Sequence, residues 1–204
     1  MRTETSNIYR FWELSEAAQR RAWENGPDFS DIDDDERRAT LAVFEQTFDI
    51  KVYHWEVGAY RAPNWRFVSA GRATEAPAGD WLRLAKYLWN NYAAEIETGR
   101  YYSARGRMEN GEYKCKSRRS KIMIEMDNCP LTGCVTDCDI LRPILDCLKY
   151  KNKYDSFDDL IDDCLHSFFN AWDADIEYFR SFEYFAEAME IYDYEFTETG
   201  DIYP

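Results

Sequence analysis

The sequence predicts an α+β fold. It reads as a single domain over residues 1–204, with several helices, a small antiparallel sheet of hairpins and one long acidic helix near the C-terminus. Three observations predict it. Apolar residues recur at helical spacing in 81–97 and again after Ser156, while 51–58 and 64–69 alternate as strands do. Hydrophobic residues make up 45% of the chain and aromatics 17%, enough to fill a substantial core and too many for a disordered chain. No internal repeat or low-complexity linker interrupts these segments, although a subdivision into 1–98 and 99–204 stays open.

Taken in order, Asn7–Phe11 reads as an extended entry and Ser15 as the N-cap of a first helix, with Glu16 at the positive end of its dipole. Asn25-Gly26-Pro27 stops that helix. An acidic start at Ser30–Glu36 opens a second helix to about Thr47, with Leu41, Phe44 and Phe48 on one face. Lys51–Gly58 and Asn64–Ser69 form a hairpin, followed by a turn at Ala76–Gly79. Trp81–Glu97 is helical, with Leu82, Ala85, Leu88, Tyr92 and Ile96 as its apolar stripe.

Asn110-Gly111 signals a hairpin turn whose second strand is expected to reach Glu125. Cys129–Gly133 is a turn, and Asp139–Lys149 is a helix with Pro143 in its first turn. Ser156 caps the longest helix, which is expected to reach Met189 with a break near Arg180-Ser181. Its stripe is Leu160, Cys164, Phe168, Trp172, Phe179 and Phe182. Short strands at Ile191–Phe196 and Ile202–Tyr203 end the chain.

Charge is the main functional signal. Residues 155–204 carry fifteen acids and one base, Arg180, a net charge of −14; residues 1–154 carry twenty-four of each sign. A field of that kind recruits cations or basic surfaces and is neutral as to fold. At about 1.5 Å per residue the ten carboxylates of 156–190 lie roughly 5 Å apart along a helix axis. Duplex DNA carries one charge per roughly 1.7 Å, so this ladder is weaker than DNA yet long enough to imitate part of a backbone. Asp159, Asp162, Asp163, Asp173 and Glu177 lie opposite the apolar stripe and are the candidate partner contacts. A solvated outer face is the plainer account of any such run. Asp175 falls inside the apolar arc, where a carboxylate needs an Arg partner, a helix break or a proton-transfer or metal-binding role.

A second segment has the opposite sign. Residues 100–121 hold eight bases against Glu109 and Glu112. Arg105, Arg107, Lys116, Arg118, Arg119 and Lys121, interleaved with tyrosines, are the candidate nucleic-acid or phosphate contacts. Neutralisation of the acidic helix, or protection of a strand edge, accounts for the same bases.

No catalytic motif accompanies these charges. The chain has only two histidines, no G-x-G-x-x-G, no P-loop and no arguable Ser-His-Asp set, so the reading favours a non-enzyme without cofactor. Of six cysteines, Cys129, Cys134 and Cys138 form C-x4-C-x3-C and are the zinc candidates; without a C-x2-C pair no metal is assigned. No run of eighteen apolar residues occurs and Met1–Trp12 lacks a signal-peptide core, which makes a cytoplasmic location in the host cell, with reduced cysteines and no membrane partner, the expectation.

Several segments resemble a family of phage and prophage accessory proteins labelled antitoxin-like. These are Ile8–Ala18, Tyr101–Gly106 with Lys116–Lys121, Cys129–Gly133, Asp139–Leu141, Asp158–Ile161 and Tyr194–Thr197. The resemblance covers most of the chain, names no catalytic residue, and implies a mobile-element protein of the kind that serves as an antitoxin or an inhibitor of host defence. Together with the charge pattern, the leading expectation is an acidic nucleic-acid mimic that binds a host defence nuclease, such as a CRISPR effector, as an anti-CRISPR-type inhibitor. The alternatives are an antitoxin bound to its cognate toxin, and a nucleic-acid-binding protein or enzyme that uses the basic hairpin 100–121.

Overall fold

A computed structural model describes residues 7–27, 29, 34–58, 61–97, 107–109, 112–114 and 129–203. The chain is an α+β protein. Among the described residues six α-helices and two strand pairs occur: α1 Glu16–Asn25, α2 Asp35–Phe48, β1 Ile50–Glu56, β2 Asn64–Ser69, α3 Trp81–Glu97, β3 Arg107–Glu109, β4 Glu112–Lys114, α4 Thr136–Tyr150, α5 Phe157–Phe179 and α6 Phe182–Ile191. Short 3₁₀ turns occupy Phe11–Glu13 and Gly71–Glu75. β1 pairs antiparallel with β2 and β3 with β4, each as a two-stranded sheet.

Two compact units make up the fold. Unit 1 is Met1–Asp33 with Asp173–Pro204, and unit 2 is Asp34–Trp172. Chain order does not set them, since unit 1 joins both ends of the chain and the division falls within α5.

Unit 2 is built on the apolar stripes of four helices. Leu41, Phe44 and Phe48 of α2, Leu84, Leu88, Tyr92 and Ile96 of α3, and Ile140, Leu141, Ile144 and Cys147 of α4 are buried. From α5 come Leu160, Ile161, Cys164, Leu165, Phe168, Phe169 and Trp172. Each such side chain withdrawn from water contributes about 1.5–3 kcal/mol. Rings link the layers: Phe48 lies 4.8 Å from Tyr92, and Trp55 of β1 lies 4.8 Å from Trp172. One phase differs from expectation. Leu84 takes the inward position on α3 and Leu82 faces solvent, because Leu84, Leu88, Tyr92 and Ile96 keep a strict four-residue spacing.

Unit 1 has a smaller, aromatic core. Phe11, Leu14, Ala18, Ala22, Phe185, Ala186, Met189 and Phe196 are buried together. Ser15 caps α1, accepting from the Ala18 N–H at 3.3 Å, and Ser181 caps α6, accepting from the Tyr184 N–H at 3.1 Å. Where strands were expected at the termini, only single bridges form, Tyr9 to Phe196 and Phe196 to Ile202. They close over Ala18, whose carbonyl packs so near Gly200 (φ +88°) that no Cβ fits there.

The long helix stops at Phe179 and restarts at Phe182, at the expected break. Two further boundaries differ. The helix expected at Asp139 begins three residues earlier, which places Pro143 in its interior. The expected second strand after Asn110-Gly111 is seen as far as Lys114, and its remainder lies outside the described residues.

Candidate functional site

The acids at the start of α5 have work inside unit 2. The Asp159 carboxylate accepts from Ser156 Oγ at 2.7 Å, and Ser156 Oγ accepts from the Asp159 N–H at 3.1 Å, a reciprocal cap. Asp158 accepts from Ser69 Oγ and Asp162 from the Trp65 indole N–H at 2.8 Å, so two carboxylates of α5 hold β2. Asp163 accepts from the Tyr154 hydroxyl at 2.6 Å. Burial and that bond push the Tyr154 phenol well above its ordinary range. All these donors are neutral. Each bond orients its carboxylate without cancelling the charge, and the positive end of the α5 dipole favours that charge by about 0.3–1 kcal/mol.

The remaining candidates on α5 belong to unit 1: Asp173 is half-buried and Glu177 exposed. The five candidate contacts are thus divided, three in unit 2 and two in unit 1. Asp175 does not sit in the apolar arc. It is exposed, because Trp172 and Ile176 carry the buried phase at a spacing of four and put position 175 about 100° around the helix from Ile176.

Charge is also divided unequally between the units. Unit 1 carries seventeen acids and five bases, a net −12; unit 2 carries twenty-two and twenty, a net −2. Two of the unit 1 bases are engaged by acids of the same unit. Arg10 Nη1 lies 2.5 Å from Asp193 Oδ1 and donates to the Asp193 carbonyl at 3.0 Å, and Arg21 lies 3.4 Å from Asp201.

The end of α6 deepens this field. Its last turn has no base, and Glu190 lies there beside the negative end of the dipole, an unfavourable placement. A Schellman motif closes the helix: the Tyr194 N–H donates to the Met189 carbonyl at 3.0 Å and the Asp193 N–H to the Glu190 carbonyl at 3.1 Å. Asp193 holds the left-handed position of that motif at φ +60°, where glycine is the relaxed choice. Large apolar side chains stand in solvent around it: Ile191 is 76% exposed, Tyr192 62% and Trp12 53%.

The basic segment is seen only in part. Arg107 and Lys114 are Cα partners in β3 and β4; Arg105, Lys116, Arg118, Arg119 and Lys121 lie outside the described residues. Of the zinc candidates, Cys129 is buried, Cys134 half-buried and Cys138 exposed. Among the described residues no group of three or more His, Cys, Asp or Glu is placed to hold a metal ion. Cys147 and Cys164 fill core positions, and burial pushes both thiols up. His54 shares a 3.0 Å hydrogen bond with Asn64 across the β1–β2 hairpin, and His166 packs its edge on Trp65 at 5.6 Å.

One buried carboxylate escaped the sequence reading. Asp137 of α4 is fully buried and accepts from the N–H groups of Leu131, Thr132 and Gly133 at 2.8, 2.7 and 3.2 Å, and from the hydroxyls of Thr132 and Thr40 at 2.7 and 3.0 Å. Thr136 shares a further 2.7 Å hydrogen bond with the Thr40 hydroxyl. These five donors satisfy the carboxylate, and they explain why α4 starts early at Thr136. A local signal existed in Leu131-Thr132-Gly133 four residues before an Asp, but Thr40 comes from 97 residues away. Closed off in this way, Asp137 is a structural clamp rather than a general base.

No family model matches this chain, and no curated protein or solved structure matches it. No helix among the described residues is long and apolar enough to cross a membrane.

Proposed function

We propose that this chain acts by binding, without turnover, and that its partner is a host protein with a cationic, nucleic-acid-handling surface. A defence nuclease such as a CRISPR effector is the partner class this reading favours. The single observation that carries it is the concentration of charge, net −12 in unit 1 against −2 in unit 2. Such a field speeds encounter with a basic groove and selects against acidic competitors, while desolvated aromatic anchors supply affinity. The likeness of several segments to phage accessory proteins supplies the biological setting.

The test is capture of host proteins by purified, tagged full-length chain at about 50 and 300 mM salt, where screening lengths fall from over 10 Å to well under it. The expected outcome is a stoichiometric nuclease or effector, recovered at low salt and lost at high salt. A small toxin encoded beside this gene would replace the reading with an antitoxin. Nucleic acid alone, with binding abolished by Arg118→Ala and Arg119→Ala, would replace it with the basic segment as the working site.

A further inference from the structure

We infer that the face at the C-terminal end of α6, formed by Trp12, Glu190, Ile191, Tyr192 and Asp193, is a docking surface for an arginine-bearing, amphipathic segment of a partner protein. This rests on the binding reading above and names the surface and the chemistry it takes.

Two observations converge there. The first is apolar area without cover. Ile191 and Tyr192 follow one another at the end of α6 and are 76% and 62% exposed. Phe29 stacks on Tyr192 at 5.9 Å and 9° between planes, which fixes one ring face and leaves the other to solvent. Trp12, 53% exposed, stands two residues along from Arg10, which is clamped to Asp193.

The second is negative charge. Glu190 is exposed at the negative end of the α6 dipole, where Lys or Arg is the stabilising choice, and the unit around it carries a net −12.

Arg10 meets Asp193 but leaves Glu190 and the exposed rings facing water. A guanidinium satisfies both demands. Its planar fork binds a carboxylate through two N–H groups, and its face stacks on Tyr or Trp rings, a geometry an ammonium does not reproduce. Apolar side chains spaced between the arginines would cover Ile191. The complementary partner is therefore a basic segment with arginines and aliphatic residues on one face, as in many nucleic-acid-binding surfaces.

The experiment uses the full-length chain and a fluorescein-labelled peptide of alternating Arg and Leu, compared with its Lys-for-Arg twin, by fluorescence anisotropy at about 50 mM salt. Wild type should bind the arginine peptide at least tenfold more tightly than the lysine peptide. Trp12→Ala with Tyr192→Ala should weaken the arginine peptide at least tenfold and bring the two peptides level. Glu190→Gln with Asp193→Asn should weaken both peptides. The charge-matched control Glu75→Gln with Glu95→Gln, two exposed acids of unit 2, should change neither. Far-ultraviolet circular dichroism checks that each variant folds.

Equal loss in the control would overturn the inference in favour of diffuse charge. So would peptide affinity that the aromatic variant leaves intact, or a dimer of the free chain, seen by sedimentation, that the aromatic variant splits. A host partner captured equally by wild type and the aromatic variant would sink this surface while leaving the binding reading standing. Peptide binding as expected with no host partner captured would do the reverse.

Discussion

The two units use acids in opposite ways. In unit 2 five carboxylates are structural parts. Asp137 gathers five donors in the interior, Asp159 caps α5, Asp158 and Asp162 hold β2, and Asp163 fixes Tyr154. In unit 1 the acids outnumber the bases by twelve, and Glu177, Glu183, Glu190, Glu195 and Glu198 are exposed. Several unit 2 carboxylates hold its own fold together, while unit 1 carries most of the net charge and leaves these five glutamates exposed beside exposed rings. A charge run is thus read correctly only after asking which donors its members already hold.

The largest expected effect tests how little core supports that acidic surface. Phe185 is buried against Phe11 at 5.7 Å and Phe29 at 6.1 Å. Phe185→Ala should cost about 3–5 kcal/mol, measured as a shift of the urea midpoint followed by tryptophan fluorescence. A loss under about 1 kcal/mol would mean that the unit 1 core collapses around the cavity and that its aromatics are not what holds it.

Asp137 carries the structural role of unit 2 acids to its limit. Asp137→Ala would take the acceptor from three partly buried N–H groups and two hydroxyls, and should cost about 3 kcal/mol. Asp137→Asn should cost far less, about 1 kcal/mol. Its amide oxygen still serves the N–H groups, and the threonine hydroxyls can turn from donor to acceptor. Equal losses in the two variants, read from urea midpoints, would show that the negative charge itself is required.

Alkaline pH separates the units in a third way. Burial raises the thiols of Cys147 and Cys164 above 9.0, and the phenols of Tyr92 and Tyr154 above 10.0, and all four lie in unit 2. The folded chain keeps protons that the unfolded chain releases. Stability is therefore full below pH 9 and falls as pH rises further, with a slope of about 1.4 kcal/mol per pH unit for each group titrating only when unfolded. Denaturation midpoints between pH 8 and 11 should fall, with thiol titration showing Cys138 reactive at once and Cys147 and Cys164 only on unfolding. Flat midpoints would remove burial as the cause of those shifts.

The smallest effect on stability is expected at Asp193. Asp193→Gly relaxes a left-handed residue, a gain of up to about 1 kcal/mol, and loses an exposed ion pair of comparable size. The net change in stability, followed by the thermal midpoint, should be within about 0.5 kcal/mol, while affinity for the arginine peptide falls. A destabilisation above 2 kcal/mol would make Asp193 a structural residue like those of unit 2.

Much of this was legible beforehand. Ser15 and Ser156 announced two helix starts because a cap is a three-residue event. Trp81–Glu97 announced itself by repetition along more than four turns. Legibility failed wherever the deciding partner was distant. Asp175 looked buried on an ideal helical wheel, yet the helix turns its phase with Ile176 and ends at Phe179. The early start of α4 needed Thr40, and the terminal strands shrank to single bridges, Tyr9 to Phe196 and Phe196 to Ile202.

By itself, then, the sequence determined the α+β class, most helix spans and the excess of acid near the C-terminus. These depend on periodicity, capping and composition, which act within a few turns of chain. Only the tertiary structure decided which acids are structural and which are presented. It brought the two chain ends into one unit of net charge −12, and it put Ser69 and Trp65 within reach of Asp158 and Asp162. A carboxylate's role is set by the donors around it, and those donors arrive through folding from distant parts of the chain.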